Sequence, residues 1–289
     1  MLSITLDWLA FTFKEDTHEA GEWIRLYASD KTNVSVTARN GYRDAYQTQT
    51  GVVVQWNVDR EEMGYHVVIA GSAIRNVLEH YELDQKTLIQ TVLHAGASIT
   101  RLDVAKDLQG VAISLDAIYE ALEQRQYIGT ARKFAQIHSI GGGNTIYVGS
   151  RQSEKFMRIY DKAAELQAPG TLWYRLELET KGMVARSLAT ELVTGDNWTS
   201  RFDGIARHMV DVAKGRDWQE FFVPGDVPTG IPKLEKQTDR EAWIEAQVMP
   251  AVVKHFIEHR DSKAVALLRA MLDQIDAMGT VSQVDTIGE

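Results

Sequence analysis

Residues 145–181 read TIYVGSRQSEKFMRIYDKAAELQAPGTLWYRLELETK. The pattern predicts two antiparallel strands, residues 145–151 and 155–160, then a short helix and a third strand at 172–181. Side chains on a strand alternate between faces. In Arg175-Leu176-Glu177-Leu178-Glu179 the leucines therefore share one face, and Arg175, Glu177 and Glu179 share the other. Two carboxylates side by side repel unless a cation or a proton lies between them. Tyr160 ends the second strand, flanked by Arg158 and Lys162. A metal site beside a nucleophile is the economical reading of that pattern.

Working outward, residues 98–108 (SITRLDVAKDL) predict a further strand, with Arg101, Asp103, Ala105 and Asp107 on one face. Arg101-Leu102-Asp103-Val104 echoes Arg175-Leu176-Glu177-Leu178. Each segment follows two β-rich runs and a helical stretch, and each precedes a helix. The echo predicts a duplicated β-β-α-β-α unit whose halves, about 1–127 and 128–222, pair in one largely antiparallel sheet with helices on one side. The fold class expected is α+β. Its twofold would bring Asp103 beside Glu177 and Glu179. Upstream, residues 2–13 alternate as a first strand, 17–28 fit a short helix, and 30–49 look polar and irregular. Residues 51–58 and 65–70 form a hairpin. Ser72, Asp84 and Ser114 are expected to cap helices. Residues 132–140 form a strand, and Gly141-Gly142-Gly143-Asn144 a turn. Helices follow at 182–194 and 199–214. Three of the five prolines, Pro224, Pro228 and Pro232, fall in a linker at 223–235. Residues 236–289 read as a C-terminal helical segment.

The 289 residues, 44% hydrophobic and 25% charged, suit a soluble protein with one large domain or two. No apolar run approaches the roughly 20 residues that span a bilayer. The first residues show neither a basic n-region nor a cleavage pattern, so no secretion signal is expected. Cysteine is absent, which excludes thiolate metal sites and fits a cytoplasmic protein. The net charge of −9 argues against a generally basic nucleic-acid binder. Locally the balance reverses: from Arg125 to Lys162 seven basic residues face two acidic ones.

Asp103, Glu177 and Glu179, with Asp107 as a possible fourth, offer hard oxygen ligands suited to Mg²⁺ or Mn²⁺ rather than zinc. The alternative is that these acids pair with Arg101 and Arg175 on a sheet face. A tyrosine hydroxyl, with a pKa of about 10, needs a neighbouring cation or base to attack phosphorus; Lys162 and Arg158 are the candidates. Tyr147 and Tyr174 are the nearest rivals to Tyr160. Arg132, Lys133, Arg151 and Lys155 are candidate phosphate contacts. His255, Glu258 and His259 match an H-x-x-E-H zinc pattern, for which two solvent-facing histidines are the competing reading.

Taken in order, Asp7-Trp8, Arg101-Leu102-Asp103, Tyr147-Val148-Gly149-Ser150-Arg151, Arg158-Ile159-Tyr160-Asp161-Lys162 and Arg175-Leu176-Glu177 resemble the rolling-circle replication initiation factor family. That family includes initiators of small plasmids and filamentous phages and related relaxases of conjugative elements. The resemblance covers roughly residues 1–215 and implies a catalytic domain over 1–222, a dimer and a divalent cation. It also implies that Tyr160 cuts one strand at an origin, single-stranded or extruded as a hairpin, and keeps the 5′-phosphate. The host helicase and polymerase would be partners. Carried over, Tyr160 is the nucleophile and Asp103, Glu177 and Glu179 are the metal set. The acidic overall charge departs from strongly basic plasmid initiators. A non-catalytic DNA-binding regulator is the alternative from another class.

Overall fold

The computed structural model describes residues 2–14, 17–29, 34–139, 143–195 and 197–222. In chain order its elements are β1 (Leu2–Phe13), α1 (His18–Tyr27), β2 (Val34–Ser35), β3 (Asp44–Gln47), β4 (Val53–Trp56), β5 (Tyr65–Ala70), α2 (Ser72–His80), α3 (Gln85–His94), β6 (Ser98–Gln109), α4 (Leu115–Glu123), β7 (Phe134–Ser139), β8 (Gly143–Gly149), β9 (Lys155–Asp161), α5 (Lys162–Glu165), β10 (Trp173–Lys181), α6 (Gly182–Thr194), α7 (Trp198–Met209) and α8 (Arg216–Gln219). The ten strands form one sheet in the order β2-β3-β4-β5-β1-β6-β10-β9-β8-β7. Every pairing in it is antiparallel. The class is α+β, as the periodicity indicated.

The two echo strands, β6 and β10, lie side by side at the centre. Arg101 stands opposite Lys181, and Arg175 opposite Asp107. The offset that carries Arg101 onto Arg175 also carries Asp107 onto Lys181, so the first pair maps onto the second. The local twofold axis therefore passes through the pair Val104–Leu178. Its flanks match in space, β1 beside β6 and β9 beside β10, but not in connection. On one side β8, β9 and β10 follow one another, whereas β1 reaches its place before the excursion through β2 to β5.

One face of the sheet is apolar. Leu102, Val104, Leu176, Leu178, Met157, Ile159, Ile146 and Val148 are all at most 1% exposed. Burying each such side chain contributes roughly 1.5–3 kcal/mol. Helices α2 and α3 pack on β1, α6 on β6 and β10, and α4 on β7 and β8. Lys106 breaks the apolar pattern. Its ammonium is buried against Asp203 of α7 at 2.5 Å and lies 5.2 Å from the Phe222 ring. Helix starts follow local chemistry: the side chains of Asp84, Ser114 and Asp161 accept from the backbone N–H of Thr87, Ala117 and Ala164.

Several sequence readings need correction. Ser72 is the first residue of α2 and does not cap it; Gly71, at φ +55°, precedes it. Residues 30–49 supply two strands, β2 and β3, where an irregular stretch was expected. They extend the sheet edge by pairing successively onto β4, an interaction that a four-residue run such as Asp44–Gln47 does not announce. The linker at 223–235, the C-terminal segment and the His255-x-x-Glu258-His259 pattern lie outside the described residues, as do position 140 of the expected strand and positions 141–142 of the glycine turn.

Candidate functional site

The polar face is built from cross-strand rows. Tyr160 of β9 stands opposite Arg175 of β10, which stands opposite Asp107 of β6. In the next row Arg158 faces Glu177, and in the third Phe156 faces Glu179, Glu179 faces Asp103, and Asp103 faces Trp8 of β1. Strand β1 changes phase here. Leu2, Ile4 and Leu6 pair with Leu108, Lys106 and Val104, whereas Leu9 pairs with Leu102, and the register shifts between Leu6 and Trp8. The extra residue is Asp7. This bulge delivers the Asp7 carboxylate to Arg175, Oδ1 to Nη1 at 2.9 Å.

The Tyr160 hydroxyl donates to Glu177 Oε2 at 3.3 Å. Burial pushes the phenol up to about 12, opposed first by the neighbouring Arg175 charge and helped by Glu165 and Asp7. Tyr160 is therefore a neutral phenol at ordinary pH and can lose its proton only to an acceptor. Glu177 is the carboxylate within hydrogen-bonding distance of the phenol. It is 3% exposed and ion-paired to Arg158. Lys162 does not reach the hydroxyl: its ammonium pairs with Glu165 and lies 5.7 Å from the centre of the Tyr160 ring.

Two arginines organise the remaining acids. Arg101 Nη2 contacts Asp103 Oδ2 at 2.5 Å and Glu179 Oε2 at 2.9 Å, while its guanidinium stacks over Trp8 at 4.2 Å. Glu179 also pairs with Lys181 at 2.6 Å. Burial holds the Asp103 carboxyl up at about 6 against the pull of Arg101, with Glu179 raising it further. Arg175 grips Asp107 with two contacts of 2.8 Å, and Trp173 Nε1 donates to the same carboxylate at 2.8 Å. Burial works against the Arg175 charge, but Asp107 and the other partners outweigh it and keep the guanidinium protonated. Asp107 is thus engaged by Arg175 and Trp173.

The donor set suits a hard divalent cation, and two of its members meet. Asp103 and Glu179 converge on one guanidinium nitrogen of Arg101. Glu177 is turned away to Arg158 and Tyr160. Among the described residues no three His, Asp or Glu side chains are gathered as they would be around one ion.

The candidate phosphate contacts lie toward the β7–β8 edge. Arg132 and Lys133 line a cleft of about 800 Å³, and Lys155 lines a neighbouring one of about 440 Å³. Burial holds the Lys155 ammonium below its usual range, and Glu154 opposes that. The Arg151 guanidinium stacks 5.3 Å from both the Tyr147 and Phe156 rings. Neither cleft contains Tyr160, but the larger one includes Tyr147, which pairs directly with Arg158.

The sequence profile of the replication initiation factor family matches residues 97–272, more than half of the chain. The chain belongs to this family. A protein named as a DNA relaxase, NicK of Bacillus subtilis (strain 168), is 25% identical over 194 residues, covering 61% of this chain and 54% of that protein. The chain thus spans about half the length of that relative. The rolling circle replication initiator protein from Geobacillus stearothermophilus shares the fold, with a TM-score of 0.66 and 21% identity over 81% of this chain and 99% of that one.

In this member of the family, alternation had grouped Glu177 with Glu179 and the echo had added Asp103, and the structure places Tyr160 and Arg158 on the same face. What the sequence missed is Arg175 as the cation next to Tyr160, and Asp7 as its second carboxylate partner. Arg175 could have been found from strand alternation together with the β9–β10 register. A bulge at Asp7 leaves no such signal.

Proposed function

We propose that the chain is a rolling-circle replication initiator that cuts and rejoins one DNA strand through Tyr160. The observation that carries this reading is the hydrogen bond from the Tyr160 hydroxyl to Glu177, inside a cation-rich row of a family built on this fold. In the reaction the phenol oxygen attacks phosphorus as Glu177 takes its proton. The bond to the 3′-oxygen breaks, and the proton taken up by Glu177 is passed to that oxygen through solvent, so that it leaves as a free 3′-OH. The 5′-phosphate stays on Tyr160 as a phosphodiester, so the reverse attack by a 3′-OH rejoins the strand without nucleotide hydrolysis. Arg158 and Arg175 flank the phenol and stabilise the negative charge that develops around it. Asp103 and Glu179 would hold the divalent cation, Mg²⁺ or Mn²⁺, which when bound draws charge from a non-bridging phosphate oxygen. Lys162 supports the tyrosine ring and is not the proton acceptor.

The substrate of this reading is origin DNA, single-stranded or extruded as a hairpin, because attack needs a strand freed from the duplex. A homodimer and the host helicase and polymerase belong to the same reading and rest on the family resemblance. A relaxase of a conjugative element would use the same chemistry, and the likeness to NicK favours keeping it as the second reading. The test is nicking of supercoiled DNA carrying the cognate origin, with mass spectrometry for a tyrosine adduct. Tyr160→Phe is expected to lose nicking to below detection and the adduct with it. Nicking at the parent rate in that variant overturns the assignment.

A further inference from the structure

The cleft beside α4 and the β7–β8 edge is not needed for the chemistry above, yet it is the larger of the two clefts described. Its volume of about 800 Å³ lies within the roughly 300–1,000 Å³ usual for small-ligand sites. Its lining combines two kinds of group. Tyr119, Tyr127, Phe134 and Tyr147 supply rings, and Arg125, Arg132 and Lys133 supply charge against a single carboxylate, Glu123.

These cations differ from those of the polar face. Arg101, Arg158 and Arg175 are each held by buried carboxylates. Arg125, Arg132 and Lys133 are exposed, and among the described residues none is seen in an ion pair. Uncommitted cations around recessed rings match the chemistry of an unpaired nucleotide, whose base stacks and whose phosphate needs neutralising. Duplex DNA hides its bases in the stack and would leave the rings unused.

The cleft also leads to the nucleophile. Tyr147 is half-buried, and its ring plane is set by stacking on Phe156 at 5.6 Å and 19°. On the neighbouring strand its direct partner is Arg158, which holds Glu177, which accepts from Tyr160. Tyr147 and Tyr160 are thus one residue pair apart along the polar face.

We propose that this cleft takes an unstacked base of single-stranded DNA next to the phosphate presented to Tyr160, with Tyr147 as stacking platform and Arg132 and Lys133 on the backbone. The proposal rests on Tyr160 being the nucleophile only for which phosphate is neighbouring; the binding itself is measured apart from cleavage.

The test uses the full chain in a Tyr160→Phe background and a fluorescein-labelled twelve-residue oligothymidylate, read by anisotropy at several salt concentrations. Tyr147→Leu is expected to weaken binding about tenfold, the loss of one base-ring stack, without changing the salt slope. Tyr147→Phe keeps the ring and should bind like the parent. A urea midpoint for Tyr147→Leu like the parent's shows that its loss is not a folding defect. Arg132→Ala with Lys133→Ala, both exposed, should lower the salt slope by about 1.4, or about 0.7 per phosphate contact. A 5-iododeoxyuridine probe should crosslink to Tyr147 or Tyr127. Parent-like affinity and slope in all these variants, or crosslinks confined to other parts of the chain, overturn the proposal. Because binding is read without cleavage, such a failure leaves the nicking reading standing. Conversely, nicking by Tyr160→Phe would sink that reading and not these values.

Discussion

Across the local twofold of the sheet, Arg101 and Arg175 are counterparts, and so are the residues beside them. Arg175 pairs across to Tyr160 of β9, while Arg101 pairs across to Ala10 of β1. Arg158, which holds Glu177, has Trp8 as its counterpart, stacked on Arg101. Both halves therefore present an arginine over acids on the same face. Only the β9–β10 half adds a phenol and an acceptor for its proton. Asp103 of β6 and Glu179 of β10 meet across the seam between the halves on one cation, Arg101. On the proposed reading this is a division of labour: the β9–β10 half carries the nucleophile, and Asp103 and Glu179, at the β6–β10 seam, would hold the ion.

The sharpest way to break this division is at Glu177. If it accepts the Tyr160 proton, Glu177→Gln should slow nicking by roughly 10²–10⁴-fold, the usual scale for general-base catalysis. Binding of single-stranded DNA should change little. The measurement is a single-turnover nicking rate beside an anisotropy titration, and a rate near the parent's would move the acceptor role elsewhere.

A second contrast lies in the arginines. Arg175→Ala strands Asp7 and Asp107 without their cation, and removing one member of a buried pair costs roughly 3–5 kcal/mol. The urea midpoint should fall accordingly. Arg175→Lys should recover little, since one ammonium cannot reproduce the two-pronged grip on Asp107. A lysine variant as stable as the parent would show that charge alone, not geometry, fixes this row.

The apolar face supplies a control with a smaller net effect. Lys106 and Asp203 are both about 1–2% exposed and tied at 2.5 Å. Lys106→Met alone should be clearly destabilising, whereas Lys106→Met with Asp203→Leu should recover most of the loss, because an apolar pair replaces a desolvated one. Additive losses in thermal or urea unfolding would contradict that account.

How far the sequence carried this picture follows from the range of the forces involved. Alternation in residues 98–108 and 172–181 revealed both central strands and their polar faces, because a half-buried strand writes its two environments into alternate positions. The Arg-Leu-acid echo pointed to a paired repeat, and Asp103 does face Glu179. Edge strands β2 and β3 were illegible because short strands are defined by their partner rather than by their own residues. The setting of Lys162 was illegible for a related reason. Proximity in sequence put it beside Tyr160, but the start of α5 turns its ammonium toward Glu165 and the ring face. Asp7 stands in one of the resembling motifs, yet only the bulge shows that it serves Arg175.

The gentlest test of the asymmetry between the halves is alkaline. Burial raises the Tyr160 phenol to about 12 in the folded chain, against about 10 for an unfolded tyrosine. The folded state thus holds this proton more tightly than the unfolded state does. The stability it contributes is complete below pH 10 and is lost as pH rises from 10 through 12. Ala10 has nothing to titrate, so the β1–β6 half adds no matching term. Unfolding free energies of the parent should therefore fall more steeply above pH 10 than those of Tyr160→Phe, with the two curves parallel at pH 7–9. Curves that stay parallel up to pH 12 would mean that the phenol is no harder to ionise than one in water. Tyr160 would then be an ordinary phenol, still neutral at pH 7 and still in need of a proton acceptor, and burial would add nothing to the work asked of Glu177.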